Sequence, residues 1–147
     1  MKKIVTLIIL LFVCLNLSAQ KDKNREKVKA LKVAFLTEKL NLDTKTAQKF
    51  WPVYNDHESK LNTIRRKGMA VVKDKLKSAG GFDGLNEKEA EFFVKNKLDF
   101  DEKELAQKKE FLTKISKILS YKQILKLQLS EREFARELMR KYRKKRK

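Results

Sequence analysis

Apolar residues recur at helical spacing along most of the chain, and the pattern predicts amphipathic helices. The apolar members of a first helix, predicted over residues 27–39, are Val28, Leu31, Phe35 and Leu36. A second helix, from residue 44 to about residue 77, has a stripe with alternating spacings of four and three, which is typical of a helix packed lengthwise on another. The members of that stripe are Phe50, Tyr54, His57, Leu61, Ile64, Gly68 and Val71.

Two further helices follow a loop at residues 78–84, which holds three of the four glycines. Asn86 is the predicted N-cap of the third helix, and Glu89 can reach back to the N–H of the cap. Leucines then recur every seven residues, and we interpret them as a seam against neighbouring helices. These leucines are Leu98, Leu105, Leu112 and Leu119. No stretch alternates like a strand, so the predicted fold class is all-α with four helices.

The fourth helix is predicted to open just after Leu119, where Ser120 and Gln123 form a capping box. Beyond Glu131 the chain becomes strongly basic. Residues 132–147 hold nine Lys or Arg against two Glu.

The stretch from Leu40 to Tyr54 holds the only Trp and the only Pro of the chain. Leu42 and Asp43 open the second helix in the same way that Leu119 and Ser120 open the fourth, with a leucine followed by a capping residue. The carboxylate of Asp43 can accept from backbone N–H groups that the first turn leaves unpaired. Pro52 lies too deep for a first-turn proline, so it deletes a helical hydrogen bond and predicts a bend.

The N-terminus has the pattern of a secretory signal peptide. Two lysines precede an apolar run of 14 residues that ends at Leu17, and Ala19 offers a small residue at the cleavage point. The run is shorter than the ~20 residues of a membrane-spanning helix. We therefore expect residues 1–19 to be removed on export to the periplasm. The remainder, residues 20–147, is predicted to be a single helical domain with a basic tail at about 140–147.

The composition favours an open helical structure with acidic partners. Charged residues make up 38% of the chain, and 37 Lys or Arg against 19 Asp or Glu give a formal charge of +18. Such a charge favours unfolded acidic polypeptides, anionic lipid headgroups or nucleic acid as partners. Two long and two shorter helices enclose little interior. They predict an elongated, bent hairpin or cradle whose apolar faces are covered by a second copy in a homodimer.

No catalytic constellation is recognisable in the sequence. The single Cys lies in the apolar N-terminal run, and there is one His and no glycine-rich phosphate loop. We interpret His57, between Asp56 and Glu58, as a packing or surface histidine, because a transition-metal site would need further ligands that only carboxylates could supply. The sequence therefore predicts no enzyme activity, no cofactor and no metal.

Two groups of residues remain as candidate partner-binding positions. Phe50 is predicted to be core, whereas Trp51 and Tyr54 are either core or contact residues, because aromatic rings can stay partly exposed in an open helical structure. The basic surface attracts acidic groups. The candidates are Phe35, Trp51 and Tyr54 among the aromatic residues, and Arg132, Arg136 and Arg140 in the basic C-terminal region.

The segment Leu119-Ser120-Tyr121-Lys122-Gln123 resembles the LTxxQ motif of the Spy/CpxP periplasmic stress proteins, with Ser in place of Thr. An earlier copy at residues 42–46 keeps the leucine and the capping role but not the Gln. The Ala47-Gln48-Lys49-Phe50-Trp51-Pro52 core resembles a branch labelled sensors of ECF-type (extracytoplasmic) sigma factors. The resemblance covers the predicted mature chain and implies a four-helix, cradle-shaped antiparallel dimer in the periplasm.

Members of this family act as ATP-independent chaperones or as regulators of envelope-stress and metal-resistance signalling. The resemblance therefore implies a non-enzymatic protein that binds unfolded or signalling envelope proteins. The shortage of histidines departs from the metal-sensing members. An alternative function is that of a basic helical protein that binds nucleic acid or an anionic membrane. The export signal argues against nucleic acid, whereas the basic tail at 140–147 would suit peripheral membrane contact.

Overall fold

A computed structural model of the chain describes residues 26–145 and confirms the predicted all-α class, since this range contains four α-helices and no strand. Helix α1 covers residues 26–40. The later helices are α2 (Thr44–Ser78), α3 (Glu87–Ile115) and α4 (Tyr121–Lys145), with a short 3₁₀ helix at Phe82–Gly84. The predicted signal peptide at residues 1–19 and the last two residues of the basic tail lie outside the described residues.

The helices group into two compact units. The described part of the first unit is residues 26–42 and 125–145, which contain α1 and most of α4. The second unit, Asp43–Ile124, contains α2, the 3₁₀ helix, α3 and the first turn of α4.

Three helices begin at the capping residues that the sequence predicts. An Asp43 carboxylate oxygen accepts from the backbone N–H of Thr46 at 2.7 Å. The Asn86 side chain accepts from the backbone N–H of Glu89 at 3.0 Å, and the Glu89 carboxylate accepts from the Asn86 backbone at 3.1 Å. These bonds satisfy donors that a helix start otherwise leaves unpaired.

The start of α4 uses the same reciprocal arrangement. The backbone N–H of Ser120 donates to the side-chain oxygen of Gln123 at 3.0 Å, and the Gln123 N–H donates to the Ser120 hydroxyl at 3.3 Å. Leu119, the leucine before the cap, is buried. The motif that resembles LTxxQ is thus a helix-start structure in this chain.

Helix α1 ends at Asn41, which has a positive φ of 50°. The Asn41 N–H donates to the Glu38 carbonyl and the Leu42 N–H donates to the Thr37 carbonyl, both at 3.1 Å. This pair of bonds is a Schellman ending, and Asn is one of the few residues other than Gly that adopts the left-handed conformation it needs.

Helix α2 runs without interruption through Pro52, and the bend at this residue remains a prediction. Its buried side chains are Phe50, Tyr54, His57 and Leu61. These four residues are the first part of the predicted stripe, so α2 packs against α3 along the side that its apolar pattern indicates. Near the far end of that stripe α2 has a glycine at Gly68, which allows the Phe100 ring of α3 to approach closely.

Candidate interaction surfaces

The aromatic cluster at the start of α2 consists of Phe50, Trp51 and Tyr54, with Phe111 of α3 beside it. The Phe50 and Tyr54 rings are stacked with centroids 5.3 Å apart. Trp51 meets both of them edge to face, at 4.9 and 5.5 Å, and Tyr54 meets Phe111 at 6.3 Å. These distances lie in the range of favourable aromatic pairs, so the cluster holds the N-terminal part of α2 on α3.

The two predicted aromatic contact residues of α2 have different environments. Tyr54 is only 2% exposed and lies within the α2–α3 packing, so the prediction of a surface role for this residue is wrong. Its position in the stripe with Phe50 and Leu61 places its ring between the two helices. Trp51 is half-buried and keeps part of its indole accessible. Of these two rings, Trp51 is the one that a partner could contact.

His57 is a packing residue, one of the two roles considered for it. Its ring stacks on Phe111 with centroids 4.0 Å apart, and its Nδ1 lies 3.4 Å from the side-chain nitrogen of Gln107. Gln107 is itself buried. An amide N–H aimed at Nδ1 favours the tautomer whose proton is on Nε2. Burial lowers the pKa of His57 below its ordinary value, so the ring is neutral at pH 7.

Ion pairs on the edges of the α2–α3 packing fix the alignment of the two helices. The Arg65 guanidinium donates to both carboxylate oxygens of Glu104, at 3.1 and 3.2 Å. This hydrogen-bonded guanidinium holds the pKa of Glu104 below its ordinary value. Lys60 of α2 reaches Glu110 of α3 at 3.3 Å. Solvent screens these exposed pairs, so they set the alignment more than they add stability.

The side of α3 that the leucines mark is exposed. We define the leucine row as Val94, Leu98, Leu105 and Leu112, which are respectively 63%, 60%, 52% and 41% exposed. Only the last leucine of the heptad column, Leu119 beyond the end of α3, is buried. Within the described residues the leucine row is therefore not a seam against another helix of the same chain, and a seam against a second copy stays a prediction.

The seam of α3 lies instead along a second heptad column, Phe93, Phe100 and Gln107, together with Phe111. Gln107 is buried and the three phenylalanines are partly buried. A methyl group built on Gly68 would lie 3.2 Å from the Phe100 ring, which shows how closely this ring approaches α2. The Phe100 ring fits opposite Gly68, and the Phe111 ring stacks on His57. This packing leaves the leucine row on the outer side of α3. A glycine in the α2 stripe together with phenylalanines at heptad spacing on α3 is the sequence signal that could have indicated this pairing.

Phe35 packs within the first unit. Its ring lies 5.6 Å from that of Phe134 in α4, and the Lys39 ammonium sits over the Phe35 ring at 5.2 Å. Phe35 is half-buried, so only part of its ring is accessible to a partner. Lys39 also pairs with Glu133 of α4 at 2.8 Å. The contacts of Phe35 thus join α1 to α4.

The three candidate arginines, Arg132, Arg136 and Arg140, are all exposed on α4. Arg143, which the sequence analysis did not single out, lies on the same side of the helix one turn further on. Within the described part of the chain none of the four makes a salt bridge. They form an accessible cationic surface, which we define as the arginine row.

Two further findings concern ligand classes. Among residues 26–145, no three His, Asp or Glu side chains converge in a way that could hold a metal ion. Over the same residues, no helix combines the length and the apolar character needed to cross a membrane.

Comparisons with known proteins leave the chain without an assigned family. No protein-family model, no curated protein and no solved structure matches it.

Proposed function

We propose that this chain is an exported, non-enzymatic protein that binds other polypeptides in the periplasm, as an ATP-independent chaperone or as a sensor in ECF-type sigma-factor signalling. The observation that carries the proposal is the leucine row, an aliphatic surface on α3 whose side chains remain 41% to 63% exposed. Soluble monomers rarely expose contiguous apolar patches without an interaction to make there.

The leucine row suits the apolar segments of an unfolded chain. Burying a Leu side chain completely stabilises a complex by about 1.5–3 kcal/mol, and the row offers four aliphatic side chains in a line. No nucleotide is needed for capture, because burial of apolar surface drives it. The charge of +18 accelerates encounters with acidic polypeptides.

A second copy would cover the leucine row when no client is bound. In an antiparallel pair centred on Leu105, the Leu98 of each protomer lies opposite Leu112 of its partner. The residues that flank the row are then complementary in charge: Asp101 lies near the partner's Lys108 on one edge, and Glu102 near the partner's Lys109 on the other. A parallel pair would instead set like charges against each other. Four flanking charges therefore support the antiparallel homodimer, and a cradle-shaped dimer of this kind fits the predicted open architecture.

The periplasmic location is supported by the N-terminal sequence. A basic start, an apolar run of 14 residues and a small residue at Ala19 form an export signal. The sequence resemblance of residues 119–123 to the LTxxQ motif also motivates the proposal, and in this chain Ser120 and Gln123 of that segment cap α4.

The test is suppression of aggregation of a chemically denatured client without ATP. Replacing Leu98, Leu105 and Leu112 by Ser should reduce the suppression at least several-fold while leaving the helical content unchanged, because all three side chains are exposed. A matched variant replaces three exposed apolar residues of other helices, Leu31, Met69 and Met139, by Ser. If both variants lose equal activity, or if the parent protein has none at molar excess, the proposal is wrong.

A cross-link between two protomers tests whether the client and the second copy bind the same leucine row. Leu105→Cys lies on the twofold axis of the proposed dimer and should form a disulfide between protomers on oxidation. The oxidised dimer should lose client binding, and a reductant should restore it. Full client binding by the cross-linked dimer would show that clients bind elsewhere.

A further inference from the structure

The outer side of α4 is a cationic row opposite the buried side of the helix. Arg132, Arg136, Arg140 and Arg143 follow one another at spacings of four, four and three, which keeps them within about 80° of arc. The opposite side of the helix contains the buried residues Leu127, Phe134 and Ser130. Packing against the rest of the first unit therefore holds α4 with its arginines facing outward.

The acidic residues of α4 do not neutralise this row. Glu131 lies 3.9 Å from Lys32 and Glu133 lies 2.8 Å from Lys39, both lysines of α1. The third acidic residue, Glu137, also acts on Lys39, since the hydrogen bond to Glu133 and the charges of Glu133 and Glu137 raise the pKa of this lysine. The arginines make no salt bridge to any described residue. The three carboxylates of α4 thus act on lysines of α1, and the four guanidinium groups of the outer side have no salt-bridge partner among the described residues.

Exposed aliphatic side chains lie in the same arc as the arginines. Leu125, Leu129 and Met139 are each more than half exposed. From Leu125 to Arg143 the surface extends for about 27 Å along the helix. An open depression along this surface is lined by Ala135, Arg136, Met139, Arg140, Arg143 and Lys144. The combined surface, which we define as the outer face of α4, offers guanidinium groups and aliphatic groups together.

We propose that the outer face of α4 docks on an anionic phospholipid surface. Each guanidinium can bind the oxygens of a headgroup phosphate with two parallel N–H donors. Leu125, Leu129 and Met139 would then enter the boundary between headgroups and acyl chains, as the apolar side of an interfacial helix does. The helix would lie along the surface without crossing it. This surface is distinct from the leucine row, so the inference does not rest on the proposed function.

The aliphatic residues distinguish a lipid surface from other polyanions. Duplex nucleic acid would use the arginines for phosphate contacts but would leave Leu125 and Leu129 in water, because its backbone offers no apolar layer. A lipid surface uses both kinds of side chain at once. The inference therefore predicts that binding depends on the arginines and on the leucines.

The experiment is sedimentation or flotation with vesicles of equal parts phosphatidylglycerol and phosphatidylcholine, compared with vesicles of phosphatidylcholine alone. All proteins keep the same N-terminus, verified by mass, so that differences between variants report α4. The parent protein should bind the anionic vesicles only. Replacing Arg136, Arg140 and Arg143 by Gln should reduce its partition coefficient at least about 10-fold, and replacing Leu125 and Leu129 by Ser should reduce it several-fold.

A matched control removes three positive charges elsewhere. Lys73, Lys77 and Lys88 are exposed, and replacing them by Gln changes the net charge equally. This control should retain binding within about 2-fold. An equal loss in both charge variants would mean that net charge alone drives binding, and it would overturn the proposal. The proposal would also fail if the leucine variant bound normally, or if a duplex DNA or poly-glutamate competitor bound more tightly than the vesicles with the same dependence on the arginine row.

Discussion

The two apolar columns of α3 have the same seven-residue period but different environments. The column of Phe93, Phe100 and Gln107 packs on α2, whereas the leucine row remains exposed. The two columns differ in their neighbours: Phe100 and Gln107 contact Gly68 and His57 of α2, whereas the side chains of the leucine row remain 41% to 63% exposed. A heptad repeat thus identifies an apolar side of a helix, but the shape of the neighbouring helix decides which side becomes core.

The largest expected contrast is between a core residue and a residue of the leucine row. Phe50 is fully buried, so Phe50→Ala should lower the free energy of unfolding by about 3–5 kcal/mol through lost burial and a residual cavity. Leu105→Ala, at 52% exposure, should change it by less than about 0.5 kcal/mol in dilute monomer. Urea unfolding followed by circular dichroism measures both values.

The Leu105→Ala variant also tests the proposed dimer. At high protein concentration Leu105→Ala should become destabilising, because association adds to the stability of the parent and less to that of the variant. An effect of Leu105→Ala of several kcal/mol at all concentrations would show that the leucine row is part of the monomer core.

Overpacking at Gly68 should be the next largest effect. A methyl group at this position would meet the Phe100 ring at 3.2 Å, and a larger side chain would have to displace the ring. Gly68→Leu should therefore cost about 1–3 kcal/mol of unfolding free energy, although Leu is the better helix former. Gly68→Leu combined with Phe100→Ala should recover much of the loss. Unchanged stability in Gly68→Leu alone would contradict the close approach of the two helices at this point.

The sequence predicted the helices and their starts because these depend on local chemistry. Asp43, Asn86 and Ser120 satisfy backbone donors within three residues of themselves, so their roles could be read without tertiary information. The packing side of α3 could not be read in the same way. Both columns contain large apolar residues, and the close fit between Gly68 and Phe100 distinguishes them.

The lack of tertiary information in the sequence also explains the wrong prediction of a surface role for Tyr54. A tyrosine at helical spacing is consistent with a core position or a half-exposed one, since its ring is apolar and its hydroxyl is polar. Its place two turns before Leu61 in the buried stripe, and opposite Phe111, decides in favour of the core. Exposure of the candidate arginines was easier to anticipate, because guanidinium groups are seldom buried without a partner.

Removal of the α2 cap should have a moderate effect on the free energy of unfolding. Asp43→Ala deletes the acceptor of the Thr46 N–H and should cost about 1 kcal/mol. Asp43→Asn keeps an acceptor oxygen and should cost less, which makes it the matched control. Hydrogen bonding from Thr46 holds the pKa of Asp43 below its ordinary value, so the difference in stability between the parent and Asp43→Ala should shrink as pH falls through that lowered pKa.

The smallest expected effect is the pH dependence of the free energy of unfolding that the buried His57 causes. The exposed leucine row should not contribute to it. Burial lowers the pKa of His57 below the ordinary value near 6.5, so above that pH the ring is neutral in both folded and unfolded chains. As pH falls through 6.5 the unfolded chain takes up the proton first, and the free energy of unfolding should therefore decrease until the lowered pKa is passed. Asp56 and Glu58 on α2 favour the charged ring, while Arg65 on α2 and Lys108 on α3 oppose it.

A His57→Gln variant should show a flatter dependence of unfolding free energy on pH between about 7 and 5 than the parent, whatever its absolute stability. Glu104 and Glu110 do not interfere in this range, because their ion pairs hold their pKa values below 4.5 and they lose stabilisation only in stronger acid. Leu105→Ala serves as the comparison on the outer side of α3, and its profile should parallel that of the parent. A parent profile as flat as that of His57→Gln would mean that the ring is solvated when folded, which would contradict its stacking on Phe111 between the two helices.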